Sequence, residues 1–143
     1  LERIGSAIEQ CAGAFSDVPI VLEPVNHHYA NCLLTTRETC DFVRALGVPS
    51  LAVMLETAHI LTERETVADA IREAGVLFRH VHITNSDRLP VGDGAYEIEA
   101  AMRAVIASGV DGYVPVEAFQ VPDAAHAIAA SFEAMRPYFP ARA

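Results

Sequence analysis

Four short apolar runs recur along this chain, and an ionisable residue closes or nearly closes each of them. Val18-Pro19-Ile20-Val21-Leu22 ends at Glu23, and Ser50-Leu51-Ala52-Val53-Met54-Leu55 ends at Glu56. Val76 to Ile83 carries His82 near its end, and Tyr113-Val114-Pro115-Val116 ends at Glu117. These four residues are 33, 26 and 35 positions apart. That is the length of one strand followed by one helix. Continuous Val/Ile/Leu runs describe strands buried on both faces, as in a parallel sheet covered by helices.

Helical patterns fill the intervals. Leu1 to Phe15 carries an apolar stripe at Leu1, Ile4, Ile8, Cys11 and Phe15. Thr35-Thr36-Arg37-Glu38 is a capping box opening a helix that turns Phe42, Val43 and Leu46 inward and stops at Gly47. Thr62-Glu63-Arg64-Glu65 reads as a second box, for a helix running to Ala74. Asp93 is expected to cap a third helix, with Ile98, Met102, Val105 and Ile106 on its apolar face. A last helix, from about Pro122, carries Ile128, Phe132 and Met135 and ends at Pro137. His126 falls on its surface.

The order is therefore one helix and then four strand–helix units, with right-handed crossovers expected. Four units cannot close an eight-stranded barrel, yet their spacing suits one. The expectation is the carboxyl-terminal half of a TIM (β/α)8 barrel, a single domain over residues 1–143, with the amino-terminal half absent. The chain begins at Leu1, without Met and inside a helical pattern, so it reads as a piece of a longer polypeptide. An open flavodoxin-like sheet is the structural alternative.

Composition narrows the partners. Nineteen acidic residues against ten basic ones give a net charge of −9, which argues against a nucleic-acid partner. No apolar run approaches the roughly 18 residues of a membrane span, and the opening residues are not expected to act as a signal peptide. Cys11, Cys32 and Cys40 are odd in number and lack zinc-type spacing, as expected of reduced thiols in a cytoplasmic protein.

In α/β barrels the carboxyl ends of the strands converge on the active site, so Glu23, Glu56, His82 and Glu117 are expected to share one. Three converging carboxylates repel one another unless a cation lies between them. Three carboxylates and an imidazole form a hard, oxygen-rich donor set suited to Mn²⁺, Mg²⁺ or Co²⁺, with Zn²⁺ also compatible. His80 and His82 share a strand face, and His82 lies nearer the rim, which makes it the better ligand. The bland alternative for that pair is two hydrogen-bonded core histidines.

Leu22-Glu23-Pro24-Val25-Asn26, Leu55-Glu56-Thr57-Ala58-His59, His80-Val81-His82 with the loop Asn85 to Gly94, and Val116-Glu117-Ala118-Phe119 together resemble the xylose isomerase-like sugar isomerase/epimerase family. Its members include ketose 3-epimerases, hydroxypyruvate isomerases and inosose-processing enzymes. The resemblance covers nearly the whole chain. It implies a divalent-metal barrel that interconverts sugars by proton transfer beside a carbonyl, through an enediolate. It also implies Glu23, Glu56, His82 and Glu117 as metal ligands, Glu23 and Glu117 as the acid–base pair, and His59 and Arg88 as contacts to substrate oxygens. Asn26 sits in the matching loop without a clear role.

Four departures stand out. Position 56 is Glu where the family usually has Asp. Pro115 interrupts an expected strand. Tyr29 stands where sugar epimerases tend to place another acid. The missing strands would leave sheet edges that invite association, so a homo-oligomer is expected. Rival readings are a non-catalytic half-barrel binding metal or sugar, a metal-dependent lyase or dehydratase, and an apurinic endonuclease on the same scaffold. The last needs a basic DNA face and more metal-binding histidines than this chain offers. His27 and His28 are read as a solvated pair outside the site.

Overall fold

The computed structural model describes residues 1–15, 17–94 and 98–139. Helix α1 (Glu2–Ala14) leads into β1 (Ile20–Leu22), α2 (Thr36–Leu46), β2 (Leu51–Glu56), α3 (Thr57–Thr62), α4 (Val67–Ala74), β3 (Phe78–His82), α5 (Glu99–Ser108) and α6 (Ala124–Met135). The three strands form a parallel sheet in the order β1-β2-β3. Helices cover one face, as continuous apolar strands require.

Register decides which side chains meet the helices. Leu22 pairs with Val53 and Leu55 with Val81, and these positions face the helical layer. Val53, Leu55, Val81 and Ile83 are fully buried there with Cys40, Val43, Ala70, Met102 and Val105. Each buried Val, Leu, Ile or Met side chain contributes about 1.5–3 kcal/mol through burial, which makes this the stabilising face. The alternate positions point the other way: Val21 beside Ala52, Met54 beside His80, Glu56 beside His82. In a closed barrel that face is the interior.

The fourth strand is reduced to a single parallel bridge, Ile83 to Val116. The Ile83 amide donates to the Pro115 carbonyl at 2.9 Å, and the Glu117 amide donates to the Ile83 carbonyl at 3.1 Å. Pro115 has no N–H to extend the ladder. Two bonds suffice to set Glu117 beside His82.

Local signals explain most boundaries. Thr35 Oγ1 accepts from the Glu38 amide, and Gly47 ends α2 at φ +66°, both as the capping pattern requires. The second expected box does not form. Thr62 Oγ1 donates back to the Ala58 carbonyl inside the last turn of α3. The two acids of that box have long-range partners: Glu63 takes the His27 amide and ring, and Glu65 takes the Thr36 amide and hydroxyl. One expected helix thus becomes two, separated by Arg64 at φ +63° and restarted by a Thr66 cap on the Asp69 amide. Helix α5 begins at Glu99, and Asp93 pairs with His126 instead of capping it. Residues 95–97 of the expected Asp93-capped helix lie outside the described residues. Among the described residues, no helix is long and apolar enough to cross a membrane.

Candidate active site

Strand β2 passes into α3 without a loop, and Glu56 is the hinge. Its backbone is extended while its carboxylate caps the new helix, accepting from the Ala58 amide at 3.0 Å and the His59 amide at 3.2 Å. A side chain one methylene longer than Asp can fold back this way and still offer an oxygen to the rim. Glu56 is 0 % exposed. A buried carboxylate needs charge compensation, and Arg88 supplies it through an Nη2 contact of 3.1 Å.

Arg88 comes from the loop after β3 and sits in the left-handed region at φ +58°. Its amide donates to the Asn85 carbonyl, and its carbonyl accepts from the Phe119 amide at 2.7 Å. Asn85 Nδ2 holds the same loop by donating to the Leu89 and Pro90 carbonyls. Thus pinned, the guanidinium reaches Glu117 Oε1 at 2.8 Å as well as Glu56, and lies 3.0 Å from His59 Nε2. Glu117 Oε2 in turn faces His82 Nδ1 at 2.9 Å.

Glu23, Glu56 and His59 each offer one ligand atom within 4.8 Å of the others. His59 Nε2 lies 3.4 Å from Glu56 Oε2 and 3.8 Å from Glu23 Oε1. The six residues singled out in the sequence therefore meet at one rim. Glu23 and Glu56 cluster with His59, Glu117 pairs with His82, and Arg88 links the two groups. His80 lies behind His82, ring edge to ring face at 4.9 Å between centroids. His27 stays outside, paired with Glu63.

The fields of these charges separate the carboxylates. Burial, then repulsion from Glu56 and Glu117, raises the pKa of Glu23 above the ordinary carboxylate value. The His82 hydrogen bond, helped by Arg88, lowers that of Glu117. Burial depresses His59, favouring the neutral ring. Two of the acids, Glu56 and Glu117, are paired here with the Arg88 guanidinium. The donors on offer, carboxylate oxygens and imidazole nitrogen, fit a hard divalent metal ion.

Beside the cluster opens a cleft of about 400 Å³ lined by Val25, Tyr29, His59, Arg88 and Phe119. Its volume falls in the range of small-molecule sites. Sequence reasoning gave Phe119 no role, although Phe119 lies two positions after the rim residue Glu117. It also left Asn26 unassigned: Asn26 is buried and its Nδ2 lies 2.8 Å from His59 Nδ1. The partner is 33 residues away, so no local pattern announces it.

The chain is 33% identical over 108 residues to the D-psicose 3-epimerase of Enterocloster bolteae, covering 73% of this chain and 34% of that protein. It is 30% identical over 116 residues to the ketose 3-epimerase of Arthrobacter globiformis, covering 80% and 40%. A crystal structure of a D-psicose 3-epimerase in the presence of D-fructose superimposes with a TM-score of 0.74 at 30% identity, over 80% of this chain and 40% of that one. The chain thus spans between a third and two fifths of the length of these relatives. With a half-barrel of parallel strand–helix units, a charged rim at the strand ends, and a match over residues 1–138, the chain belongs to the xylose isomerase-like TIM barrel family.

Proposed function

We propose that this chain carries the metal- and proton-handling residues of a divalent-metal-dependent sugar epimerase, acting at the carbon beside a ketose carbonyl. The observation that carries the reading is the convergence of three acids, two imidazoles and one arginine on a single rim, beside a cleft of sugar-accommodating size. The similarity to D-psicose and ketose 3-epimerases supports the same class. Epimerisation is favoured over aldose–ketose isomerisation or dehydration on that ground alone.

Glu23, Glu56, His82 and Glu117 would hold the cation, Mn²⁺, Mg²⁺ or Co²⁺ ahead of Zn²⁺. When bound, it would stabilise the negative charge that develops on the sugar's carbonyl and neighbouring hydroxyl oxygens, a contribution of several kcal/mol. The protein's own residues handle the proton. Glu117 stays ionised beside Arg88 and His82, so its carboxylate is the one ready to take a proton from carbon. Glu23, with its raised pKa, is the one ready to return it. In the metal-free rim the two carboxylates are pushed apart in this way, which supports Glu117 as base and Glu23 as acid. The roles exchange in the reverse direction. Return to the opposite face of the same carbon inverts it. Arg88 and His59 hold substrate oxygens and fix which carbon lies between the two acids.

Incubation of the chain with Mn²⁺ and D-fructose in D₂O tests this directly. Deuterium should enter at C3. Glu23→Gln and Glu117→Gln should retain Mn²⁺ binding and abolish the exchange. Metal-loaded chain that incorporates no deuterium refutes turnover by these residues alone. It would favour the second reading, binding without turnover, which the 48% exposure of the Glu117 side chain already suggests.

A further inference from the structure

Helix α6 grips the loop that presents Arg88 at three consecutive residues. Gly92, at φ +102°, lies flat against the helix. A Cβ there would come within 3.1 Å of the Ala134 Cβ and 3.3 Å of the Ala130 carbonyl oxygen, so only a residue without a side chain fits. One position earlier, the buried Val91 amide donates to Ser131 Oγ at 3.2 Å. One position later, Asp93 Oδ2 meets His126 Nε2 at 2.5 Å. The chain leading into α6 holds the other end of the loop: the Phe119 amide donates to the Arg88 carbonyl at 2.7 Å.

These grips differ in kind. The Gly92 and Ser131 contacts hold no titratable group. His126 and Asp93 are partly open to solvent, with 45% and 33% of their side chains exposed. Among the described residues, two carboxylates meet His126: Asp93 at its ring and, from the N-cap of its own helix, Asp123 at its backbone amide. A charged imidazole is held to Asp93 by charge and hydrogen bond together, a neutral one by the hydrogen bond alone. Histidine is the side chain that changes charge between about pH 5 and 8.

We propose that His126 is a positioning residue for Arg88, acting through Asp93 from the far end of the loop. With the imidazole charged, the pair fastens the loop to α6 and keeps the guanidinium on Glu56 and Glu117. As pH rises and that charge is lost, the loop loosens from its exposed end while the Gly92 and Ser131 contacts remain. His126 is not among the residues that line the cleft, so its effect on the rim travels only through the loop. The use of Arg88 on a substrate oxygen rests on the epimerase reading; the fastening does not.

The test is amide hydrogen exchange, read by NMR on the 143-residue chain, for the parent, His126→Gln, Asp93→Asn and the double variant. Comparing variant with parent at one pH cancels the intrinsic exchange chemistry and the titration of the rim histidines, which all four chains share. At pH 6, His126→Gln should speed exchange of the Val91 and Phe119 amides about twofold to fivefold, the range an exposed ion pair supplies. At pH 8.5 that ratio should fall toward one. Asp93→Asn should act alike at pH 6, and the double variant should add nothing to either single change. Acceleration confined to amides inside α6 would mean that His126 only stabilises its own helix, and would overturn the proposal. So would Val91 and Phe119 amides that keep the parent's rates, or that speed up equally at both pH values. A chain that shows the expected pattern yet exchanges no deuterium into ketose refutes the functional reading and supports this one.

Discussion

The Thr57 hydroxyl donates to the Thr84 carbonyl at 2.6 Å and accepts from the Thr84 amide at 2.7 Å. One side chain thereby makes both bonds that the next backbone unit of β2 would have made, had the chain not turned into α3. This lets β2 end abruptly at Glu56 while the chain leaving β3 at His82 runs on through the Ile83 bridge to Thr84. Glu56 and His82 consequently stay level at the rim.

Thr57→Val, close to isosteric, should therefore be costly. It leaves a buried N–H and a buried C=O without partners, and each is expected to cost about 1–3 kcal/mol. Thr57→Ser keeps the hydroxyl and should recover most of the loss. Denaturant midpoints of the three proteins decide the matter. If valine is as stable as threonine, the paired hydroxyl is not what ends the strand.

Arg88 carries the only guanidinium among the described residues that contacts the rim acids, and it touches both Glu56 and Glu117. Removing one partner of a buried, hydrogen-bonded charge pair costs about 3–5 kcal/mol. Arg88 is partly exposed, so Arg88→Ala should fall at or below the lower end of that range in metal-free buffer. The three acids then repel more strongly, and a divalent cation should relieve more repulsion in the variant than in the parent. Mn²⁺ should raise the melting temperature of Arg88→Ala by more than it raises the parent's. At a hundred times the dissociation constant, ligand linkage alone supplies about 2.7 kcal/mol. Equal metal-free stabilities, or an equal Mn²⁺ shift, would argue that Arg88 does not neutralise the cluster.

Much of this arrangement was legible in the amino-acid sequence because it is local. The strand runs, the Thr35 cap, Gly47 and the closing acids all follow from short-range period and turn chemistry. That same period, two residues along a strand, places Glu56 and His82 on the inner face. The sequence failed where long-range partners overrode local preference. Thr62-Glu63-Arg64-Glu65 has every feature of a capping box, yet His27 and Thr36 claim its two acids from about thirty residues away. Asn26 and Thr57 were unreadable for the same reason: each acts on one distant group, His59 or Thr84. Pro115 was a visible warning, and the fourth strand is indeed only a bridge.

Gly94 illustrates a constraint that sequence alone hides. A Cβ on Gly94 would run into Nδ2 and Cγ of Asn85. Asn85 cannot swing away cheaply, since its Nδ2 holds the Leu89 and Pro90 carbonyls. Gly94→Ala should therefore loosen the loop that presents Arg88. Trypsin should then cut the Arg88–Leu89 bond faster than in the parent, with only a modest loss of global stability. Unchanged cleavage would mean the loop absorbs the methyl without moving Arg88.

The His27–Glu63 pair supplies the clearest pH dependence outside the rim. The His27 amide donates to Glu63 Oε1 at 2.8 Å, and the ring nitrogen lies 2.6 Å from the same oxygen. The backbone hydrogen bond, more than the imidazole, lowers the Glu63 pKa below the ordinary value of 4.5. A carboxyl group depressed in the folded state stabilises fully above its unfolded pKa, and its contribution fades as pH falls through the folded value. Glu63→Gln should thus be less stable than the parent at pH 7, by no more than about 1 kcal/mol because His27 is half exposed. The gap should close below about pH 4. His27→Asn keeps the backbone donor and should retain most of the difference between Glu63 and its Gln variant. If urea midpoints of parent and Glu63→Gln run parallel from pH 7 to pH 3, the ionised carboxylate does not hold the Asn26–His28 turn against α3.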